Sequence, residues 1–333
     1  MKPDGIVNLY KPQGYTSHDC VAIVRRAIGI KKVGHTGTLD PMAEGVLPIC
    51  IGKATRIIEY FDADLKTYEC TFELGIATDT LDIWGEVLEN RKEEAKRLID
   101  EKIITREKIV SVLNDFVGAI EQIPPKFSAL KVNGKRLYEY ARENIDVEIK
   151  ARSIYIDSIR FLKFDEENMA ISFEVTCSKG TYVRTLCADI GEKFGVPAAM
   201  TYLKRSKSGI FDAASALPME RLKEIRELPN SPEILSEMFL DMDDVLENLG
   251  EAVVKMEKLK FLLNGVHLYE SDVEILSQPK YKLQKPAHAI PEYFNRAYRA
   301  YYRKDGIPEF VGVIFFNQNT QTYKAEKILL QDR

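Results

Sequence analysis

Residues 34 to 56 read GHTGTLDPMAEGVLPICIGKATR, and this stretch decides how the chain is interpreted. It places the carboxylate of Asp40 in a turn of small and polar residues, directly before an apolar run. The two glycines before Asp40 admit positive φ and the proline after it fixes φ, so the composition predicts a tight loop. The apolar run at 45–51 predicts a buried strand interrupted once by proline. On composition alone, an Asp-Pro turn that caps a strand is favoured over a nucleophile or base.

Six further segments carry recognisable motifs. They read KPQGYTS (11–17), KTY (66–68), LGIATDTLD (74–82), QIPPKFSALKVNG (122–134), CSKGTYVRTL (177–186) and LKRSKSG (203–209). Together with the first stretch they resemble the TruB family of tRNA pseudouridine synthases, whose signature runs roughly G-H-x-G-T-L-D-P-x-A-x-G-V-L. A match of this length at fixed spacing is far more specific than a three-residue motif. The resemblance covers residues 6 to about 213 densely and the remainder loosely.

Two positions depart from the family pattern. Asn144 stands where the family usually has glycine, and Phe127 stands where tyrosine is commoner. Asparagine is the residue that best replaces glycine in a left-handed conformation, so we expect the turn at Asn144 to be kept. Phe127 loses only a hydroxyl, and neither change falls on a residue expected to be catalytic.

The resemblance implies an active site that needs neither a cofactor nor a metal, since the reaction moves one glycosidic bond and neither oxidises nor adds anything. Asp40 corresponds to the family's catalytic aspartate, and Arg184 to an adjacent arginine that favours the ionised carboxylate. Tyr68 corresponds to the tyrosine that stacks on the target base, and Leu203 to an apolar residue on the other side of the uracil. Without the resemblance, Tyr68 would be a core aromatic and Arg184 a surface residue of a helix.

The resemblance also implies residues that bind the RNA. A uridine inside a folded loop must be flipped out before it can react, and His35 corresponds to the histidine that fills the vacancy. Lysines and arginines within the motifs are expected to contact phosphates, and a tyrosine beside Arg184 is expected to contact the substrate. These candidates are Lys11, Lys131, Lys179, Arg205 and Tyr182.

Composition limits the class of protein. The chain has 333 residues, 45% hydrophobic and 29% charged, which is ordinary for a globular protein with room for two domains. It lacks an uninterrupted apolar stretch of the roughly 18 residues that a membrane helix needs, and its first residues lack the apolar core of a signal peptide. We therefore expect a cytoplasmic protein without a membrane segment. The five cysteines are widely spaced without a Cys-x-x-Cys pair, so neither a disulfide nor a zinc site is expected.

The net charge of −4 is unusual for a protein that binds RNA, but its distribution is uneven. Residues 211 to 252 hold eleven acidic and three basic residues, a net −8, so the rest of the chain sums to +4. Basic clusters coincide with the motifs at 25–26, 31–32, 131–136 and 204–207. A folded tRNA bound by shape and by local charge does not require a basic protein overall.

The pattern of the elements predicts an α+β fold. Helices are expected at 18–29, 93–116 and 182–194, and strands at 66–76, 154–164, 169–177 and across 310–330, without regular βαβ alternation. A strand followed by a turn is expected at 262–266. The resemblance implies a mixed, mainly antiparallel sheet with flanking helices and a small PUA-like β domain. We expect a catalytic domain at 1–245 and the RNA-binding PUA-like domain at 246–333, and we assign no role to the tyrosine-rich segment 271–302.

The favoured function is isomerisation of uridine 55 in the T-loop of tRNA by a monomer that binds the T-arm stem-loop and needs no protein partner. Two alternatives stay open. One is a dyskerin-like enzyme directed by guide RNA, against which the segments at 43–48 and 78–82 resemble the bacterial stand-alone type. The other is a non-catalytic RNA chaperone, against which the intact Asp40, Tyr68 and Arg184 argue.

Overall fold

The structure is a computed structural model that describes residues 4–283 and 290–330. The chain divides into two compact units that interleave along the sequence. The terminal unit consists of Met1–Pro41, Val46–Asp64 and Gly209–Arg333, and the central unit consists of Met42–Gly45 and Leu65–Ser208. The domain boundary that we expect after residue 245 lies within the terminal unit and stays a prediction.

The described residues form twenty strands and eight α-helices. The strands are β1 (Gly5–Lys11), β2 (Val33–His35), β3 (Glu44–Ile51), β4 (Lys66–Leu74), β5 (Ile76–Thr78), β6 (Val87–Asn90), β7 (Gly118–Gln122), β8 (Lys131–Val132), β9 (Lys135–Arg136), β10 (Arg152–Asp165), β11 (Ala170–Cys177), β12 (Ala198–Ser208), β13 (Phe211–Asp212), β14 (Leu217–Pro218), β15 (Gly250–Val254), β16 (Leu268–Tyr269), β17 (Val273–Ser277), β18 (Ala297–Lys304), β19 (Ile307–Asn317) and β20 (Thr322–Ile328). The helices are α1 (Ser17–Ile28), α2 (Lys92–Asp100), α3 (Arg106–Asn114), α4 (Leu137–Arg142), α5 (Val183–Lys193), α6 (Met219–Arg226), α7 (Ser231–Glu237) and α8 (Met256–Leu263).

The central unit is built on an antiparallel sheet in the order β12-β4-β11-β10-β7. Alternate residues of β11 are buried, which is the period-two pattern of a strand with one covered face. The first two residues of β3 pair in parallel with β12, with Glu44 opposite Lys204 and Gly45 opposite Arg205. Helix α5 packs on β12 and β4. This packing fixes the residues at the start of α5 relative to those two strands.

In the terminal unit, β1 lies between β14 and β3, and β2 pairs with β3. Thr16 and Asp19 form a capping box at the start of α1, and Gly29 ends the helix with a φ of 73°. Val21 and Val24 on the apolar face of α1 are buried in one cluster with residues of β1 and β3. The expected helix at 18–29 and the expected buried strand at 45–51 are therefore confirmed.

The terminal unit also contains a six-stranded sheet in the order β16-β20-β19-β18-β15-β17. Its pairs are antiparallel except for β15 with β18, and together with the central sheet this confirms the α+β class. The expected strand at 262–266 is wrong. Those residues are the end of α8 and the turn after it, where Gly265 has a φ of 77°. A short Leu-Leu-Asn-Gly sequence fits a helix C-terminus as well as a strand and turn.

Three further expectations can be compared with the structure. The paired strands at 154–164 and 169–177 are confirmed as the antiparallel pair β10 and β11. The helix expected over 93–116 is instead two helices, since Lys102 has a φ of 58° and Thr105 caps α3. Asn144 has a φ of 54°, which confirms the left-handed turn.

Of the tyrosine-rich segment, residues 284–289 lie outside the described residues. None of the described helices has the length and apolar character required to cross a membrane.

Candidate active site

Asp40 lies in the terminal unit, in a loop of residues 36–41 that we call the Asp40 loop. The residue before it is held from helix α1. Ser17 Oγ accepts a hydrogen bond from the main-chain N–H of Leu39 at 2.9 Å and lies 3.2 Å from the Leu39 carbonyl oxygen. Ser17 and Leu39 are both buried, so this contact is shielded from water. The main chain before Asp40 is thereby fixed to the first turn of α1.

The residue after Asp40 is held by the segment that follows β1. Lys11 is 0% exposed, and its Nζ donates to the carbonyl oxygens of Pro12 at 3.0 Å and of Pro41 at 3.1 Å. The main-chain N–H of Gly14 donates to the same Pro41 oxygen at 2.9 Å. A buried ammonium needs such partners to offset its lost hydration. Both sides of Asp40 are therefore anchored, and the half-buried carboxylate stands on a fixed main chain.

The glycine that adopts positive φ in the signature is not one of the two before Asp40. Gly34 and Gly37, which were expected to do so, have negative φ, whereas Gly45 has a φ of 108°. A Cβ atom on Gly34 would lie 3.1 Å from Ile58 Cδ1, and one on Gly45 would lie 2.2 Å from the Arg205 carbonyl oxygen. A Cβ atom on Gly34 would need only a small shift of the Ile58 side chain, whereas Gly45 is required both by its φ and by the approach of the β12 main chain.

His35, the residue expected to occupy the place of the flipped uridine, is half-buried at the end of β2. Its Nδ1 accepts a hydrogen bond from the Gly37 N–H at 3.3 Å. Its ring meets the ring of His18 edge-on, with 5.5 Å between the centroids. His18 was missed by the sequence reasoning, although it directly follows the KPQGYTS motif. The His35 ring is thus oriented by two neighbours, and its insertion into RNA stays a prediction.

Arg184 is the second residue of α5 and is only 5% exposed, unlike a surface residue of a helix. Its Nη1 donates to the Thr80 carbonyl oxygen at 2.7 Å, and its Nη2 donates to the Phe127 carbonyl oxygen at 3.0 Å. Nη1 also lies 3.7 Å from Asp82 Oδ2. A planar guanidinium can serve several acceptors at once, which a lysine cannot do with the same geometry. Arg184 therefore ties together three chain segments of the central unit.

Asp82 was missed as a site residue. Its Oδ1 accepts from Thr80 Oγ1 at 2.7 Å and from the Trp84 N–H at 3.3 Å, while its Oδ2 faces Arg184. Leu81, between Thr80 and Asp82, has a φ of 63°, which is rare for a branched side chain. The motif TDTLD at 78–82 contained the signal, because two carboxylates in a short loop need a cation or donors nearby. Residues 79–86 are called the Asp82 loop below.

Tyr68 and Leu203 share one face of the central sheet. Tyr68 on β4 is opposite Arg205 on β12, and Leu203 is opposite Cys70. Because paired residues and residues two apart point to the same face, these four side chains lie on one side. Cys70 Sγ lies 3.4 Å from Sγ of Cys187, a residue of α5, so this side is the one that α5 covers. The structure thus gathers Tyr68 and Leu203 on the face covered by α5, the helix whose first turn carries Arg184.

The residues expected to contact RNA differ in how exposed they are to solvent. Lys131 on the β8–β9 hairpin and Lys179 before α5 are exposed, and their phosphate contacts stay predictions. Lys11 and Arg205 are 0% and 2% exposed, so their burial argues against the phosphate contacts expected of them, which stay predictions. A fully buried cation cannot reach a phosphate without leaving its internal partners. Tyr182 is half-buried, and its main chain pairs twice with the Gln122 amide, at 2.8 and 3.2 Å.

All five cysteines are buried free thiols. Burial raises the pKa of Cys20 to about 11 and that of Cys177 to about 12, so these two thiols are protonated at neutral pH. Across residues 4–283 and 290–330, no three His, Cys, Asp or Glu side chains are grouped in a way that could hold a metal ion.

Two family models match consecutive parts of the chain. The model of the TruB family pseudouridylate synthase N-terminal domain matches residues 25–183, and that of the tRNA pseudouridylate synthase B C-terminal domain matches residues 184–247. A tRNA pseudouridine synthase B of Clostridium perfringens strain 13 is 41% identical over 329 residues, which is 99% of this chain and 100% of the relative. One of Bacillus anthracis is 43% identical over 269 residues, covering 80% and 84%. The fold and these matches define a pseudouridine synthase. The chain belongs to the TruB family.

Two solved structures illustrate the similarity of the fold. A crystal structure of a Cbf5–Nop10–Gar1 complex contains a chain that matches with a TM-score of 0.68 at 24% identity, covering 98% of this chain and 84% of that one. A structure of an H/ACA RNP bound to a substrate RNA containing 2′-deoxyuridine matches with a TM-score of 0.66 at 21% identity, covering 98% and 85%. At this identity the likeness supports the fold alone.

Proposed function

We propose that the protein converts uridine 55 in the T-loop of tRNA to pseudouridine. The observation that carries this proposal is the end-to-end match with a Clostridium perfringens protein named tRNA pseudouridine synthase B. In the proposed reaction the C1′–N1 bond breaks, the uracil rotates, and C1′ joins C5 while the C5 proton is lost and N1 gains one. Atoms and electrons balance within the substrate, so the proposal includes neither a cofactor nor a metal.

In this proposal Asp40 is the catalytic carboxylate, acting on C1′, on C6 or as a base. Its anchored loop supports the role, because a reacting carboxylate must be held close to one orientation. Tyr68 stacks on the target base and Arg184 supports the ionised carboxylate. Leu203 contributes apolar surface to the uracil site. The burial of the Arg184 and Leu203 side chains supports a site that excludes water.

We further propose that the T-arm stem-loop is the part of tRNA recognised. The enzyme flips the uridine, and His35 takes its place in the loop. Lys131, Lys179 and Tyr182 contact the RNA, with the two exposed lysines near phosphates. Residues 246–333, which contain all six strands of the six-stranded sheet, act as a PUA-like RNA-binding domain beside a catalytic domain at 1–245. We propose a monomer that acts in the cytoplasm, where tRNA is found, without a protein partner.

The test is incubation of the purified full chain with an unmodified tRNA transcript, followed by mapping of pseudouridine at each uridine. We expect conversion at position 55 and none in a transcript with cytidine there. Conversion that occurs only with an added guide RNA would favour the dyskerin-like alternative. Binding and refolding of the transcript without conversion would favour the chaperone alternative, and either result would overturn the proposal.

A further inference from the structure

Trp84 is the single tryptophan of the chain, and 43% of it is exposed. It lies in the Asp82 loop between β5 and β6, and Val87 and Leu88 at the start of β6 are exposed as well. Tryptophan carries the largest apolar surface of any side chain, and a soluble fold usually covers it. The β5–β6 hairpin therefore presents apolar surface that residues 4–283 and 290–330 leave uncovered.

The main chain beneath this exposed ring is fixed. The Trp84 N–H donates to Asp82 Oδ1 at 3.3 Å, and the Gly85 N–H donates to the Asp82 carbonyl oxygen at 3.2 Å. The Ile83 N–H donates to the Met200 carbonyl oxygen on β12 at 2.9 Å. Three consecutive main-chain donors around the tryptophan are thus occupied. An exposed aromatic on an anchored main chain loses little entropy when a ligand covers it.

Side-chain geometry constrains the same loop further. A Cβ atom on Gly85 would lie 2.2 Å from Thr80 Oγ1 and 2.4 Å from Asp79 Oδ1, so any other residue there would displace these two side chains. Asp79 Oδ1 accepts from the Glu86 N–H at 2.8 Å. Together with the left-handed Leu81, these contacts hold the loop in a conformation that its sequence would not favour alone. Such strain is typical of segments selected for function.

The loop that carries Trp84 is also the one that holds Arg184. Arg184 Nη1 donates to the Thr80 carbonyl oxygen at 2.7 Å and lies 3.7 Å from Asp82 Oδ2. We propose that Trp84 is a substrate-binding residue whose ring stacks on an unpaired base of the RNA. Aromatic rings bind single-stranded nucleotides in this way, and every base offers a π face. The inference rests on the proposed function and adds a contact to it.

A protein partner is the other occupant that an apolar patch could have. A stable protein interface buries about 800 Å² on each partner, more than three side chains on a two-stranded hairpin offer. Glu86 and Glu89 beside the patch are exposed and acidic, so they do not attract phosphates, and the proposed contact is with the face of one base. The small area of the patch favours that single base over a protein surface.

The experiment uses the full chain with the unmodified tRNA transcript and the variants Trp84→Ala, Trp84→Phe and Leu88→Ala. Tryptophan emission of the wild type reports only on position 84. We expect RNA to quench this emission. Trp84→Ala should raise Kd and KM about tenfold, a typical effect for a stacked base, while single-turnover conversion at saturating RNA changes less than about twofold. Trp84→Phe should recover most of the affinity, and Leu88→Ala should match the wild type.

Unchanged emission together with an unchanged Kd for Trp84→Ala would overturn the inference. So would equal losses in Trp84→Ala and Leu88→Ala, which would indicate a general effect of the hairpin. A change in sedimentation mass without a change in RNA affinity would assign the patch to a protein partner instead. Absence of pseudouridine from the wild-type reaction would overturn the proposed function, a result distinct from normal conversion with an inert Trp84.

Discussion

The Asp40 loop and the Asp82 loop each hold an aspartate on a main chain bound by a buried cation. Lys11 donates to carbonyl oxygens on Pro12 and Pro41, and Arg184 donates to carbonyl oxygens on Thr80 and Phe127. The guanidinium also faces the carboxylate of its own loop at 3.7 Å. Both loops show that a buried cation can act as a donor to main-chain carbonyls. The two cations differ in the chain segments that they connect. The guanidinium of Arg184 has several donors and bonds segments far apart in sequence, whereas Lys11 bonds through its single Nζ.

The largest difference between the loops should be catalytic. Asp40→Asn should slow single-turnover conversion of tRNA by about 10²–10⁴-fold, because an amide can neither attack nor accept a proton. Asp82→Asn should slow it less, since the amide oxygen can still accept from Thr80 and from the Trp84 N–H. Rapid-quench mapping of pseudouridine measures both rates, and RNA affinity should change little in Asp40→Asn. Equal losses in the two variants would remove the distinction between the loops.

Arg184→Met should destabilise the fold more than any other change to the two cations. Two carbonyl oxygens lose a charged donor and Asp82 loses a facing charge, so we expect the free energy of unfolding to fall by about 2–3 kcal/mol. Urea denaturation followed by circular dichroism measures this. Exposed Lys179→Met is the matched control and should stay within about 0.5 kcal/mol. A fall no greater than in the control would show that the three segments hold together without the guanidinium.

Lys11→Met should also lower the free energy of unfolding, but by less than Arg184→Met. The Pro41 carbonyl oxygen keeps the hydrogen bond from the Gly14 N–H, so we expect a loss of about 1 kcal/mol. The rate of tRNA conversion should fall even where the variant stays folded, because the main chain that loses its hydrogen bond carries Asp40. Lys131→Met serves as the control for a lost exposed charge. If Lys11→Met weakens RNA affinity and leaves the rate at saturating RNA intact, Lys11 acts on phosphate after all.

The smallest effect is expected at Asp189 on α5. Its carboxyl extends the comparison to a half-buried group whose pKa is set by desolvation rather than by a cation. Burial, assisted by Glu192, raises its pKa from 3.8 to about 6. The folded protein therefore binds this proton more tightly than the unfolded chain. That stabilisation is fully present below about pH 3.8 and is lost as the pH rises through about 6. Asp189→Asn should stabilise the fold at neutral pH by roughly 1 kcal/mol after solvent screening. Thermal unfolding at about pH 4 should show no difference, and a gain of equal size there would contradict this assignment.

Local patterns predicted the elements whose burial is regular. The spacing of Val21 and Val24 was enough for α1, and the apolar run at 45–51 was enough for β3. The break at Lys102 was not predictable, because a positive φ at lysine leaves no trace in hydrophobic periodicity. The end of α8 was misread because a short apolar run before Asn-Gly fits both a strand and a helix.

The motifs picked out the candidate site residues but not their contacts. Asp40 lies in the signature and Arg184 in the segment at 177–186, and their roles stay predictions. Neither motif could show that Lys11 and Arg205 are buried. Lysine and arginine are almost never fully buried unless they are paired, so exposure was the reasonable expectation. Asp82 was missed because its link to Arg184 spans about a hundred residues of chain. Such a pairing depends on tertiary structure rather than on local sequence.

The interleaving of the two units has a consequence for synthesis on the ribosome. The chain of the central unit is continuous from Leu65 to Ser208, whereas β1 of the terminal unit pairs with β14, which is made much later. Leu9, for example, pairs with Leu217. At about 5–20 residues per second, the N-terminal segment waits on the order of 10 s or more for that partner. Nascent β1 and β3 therefore spend this interval with unpaired strand edges, while the central unit can already close its own sheet.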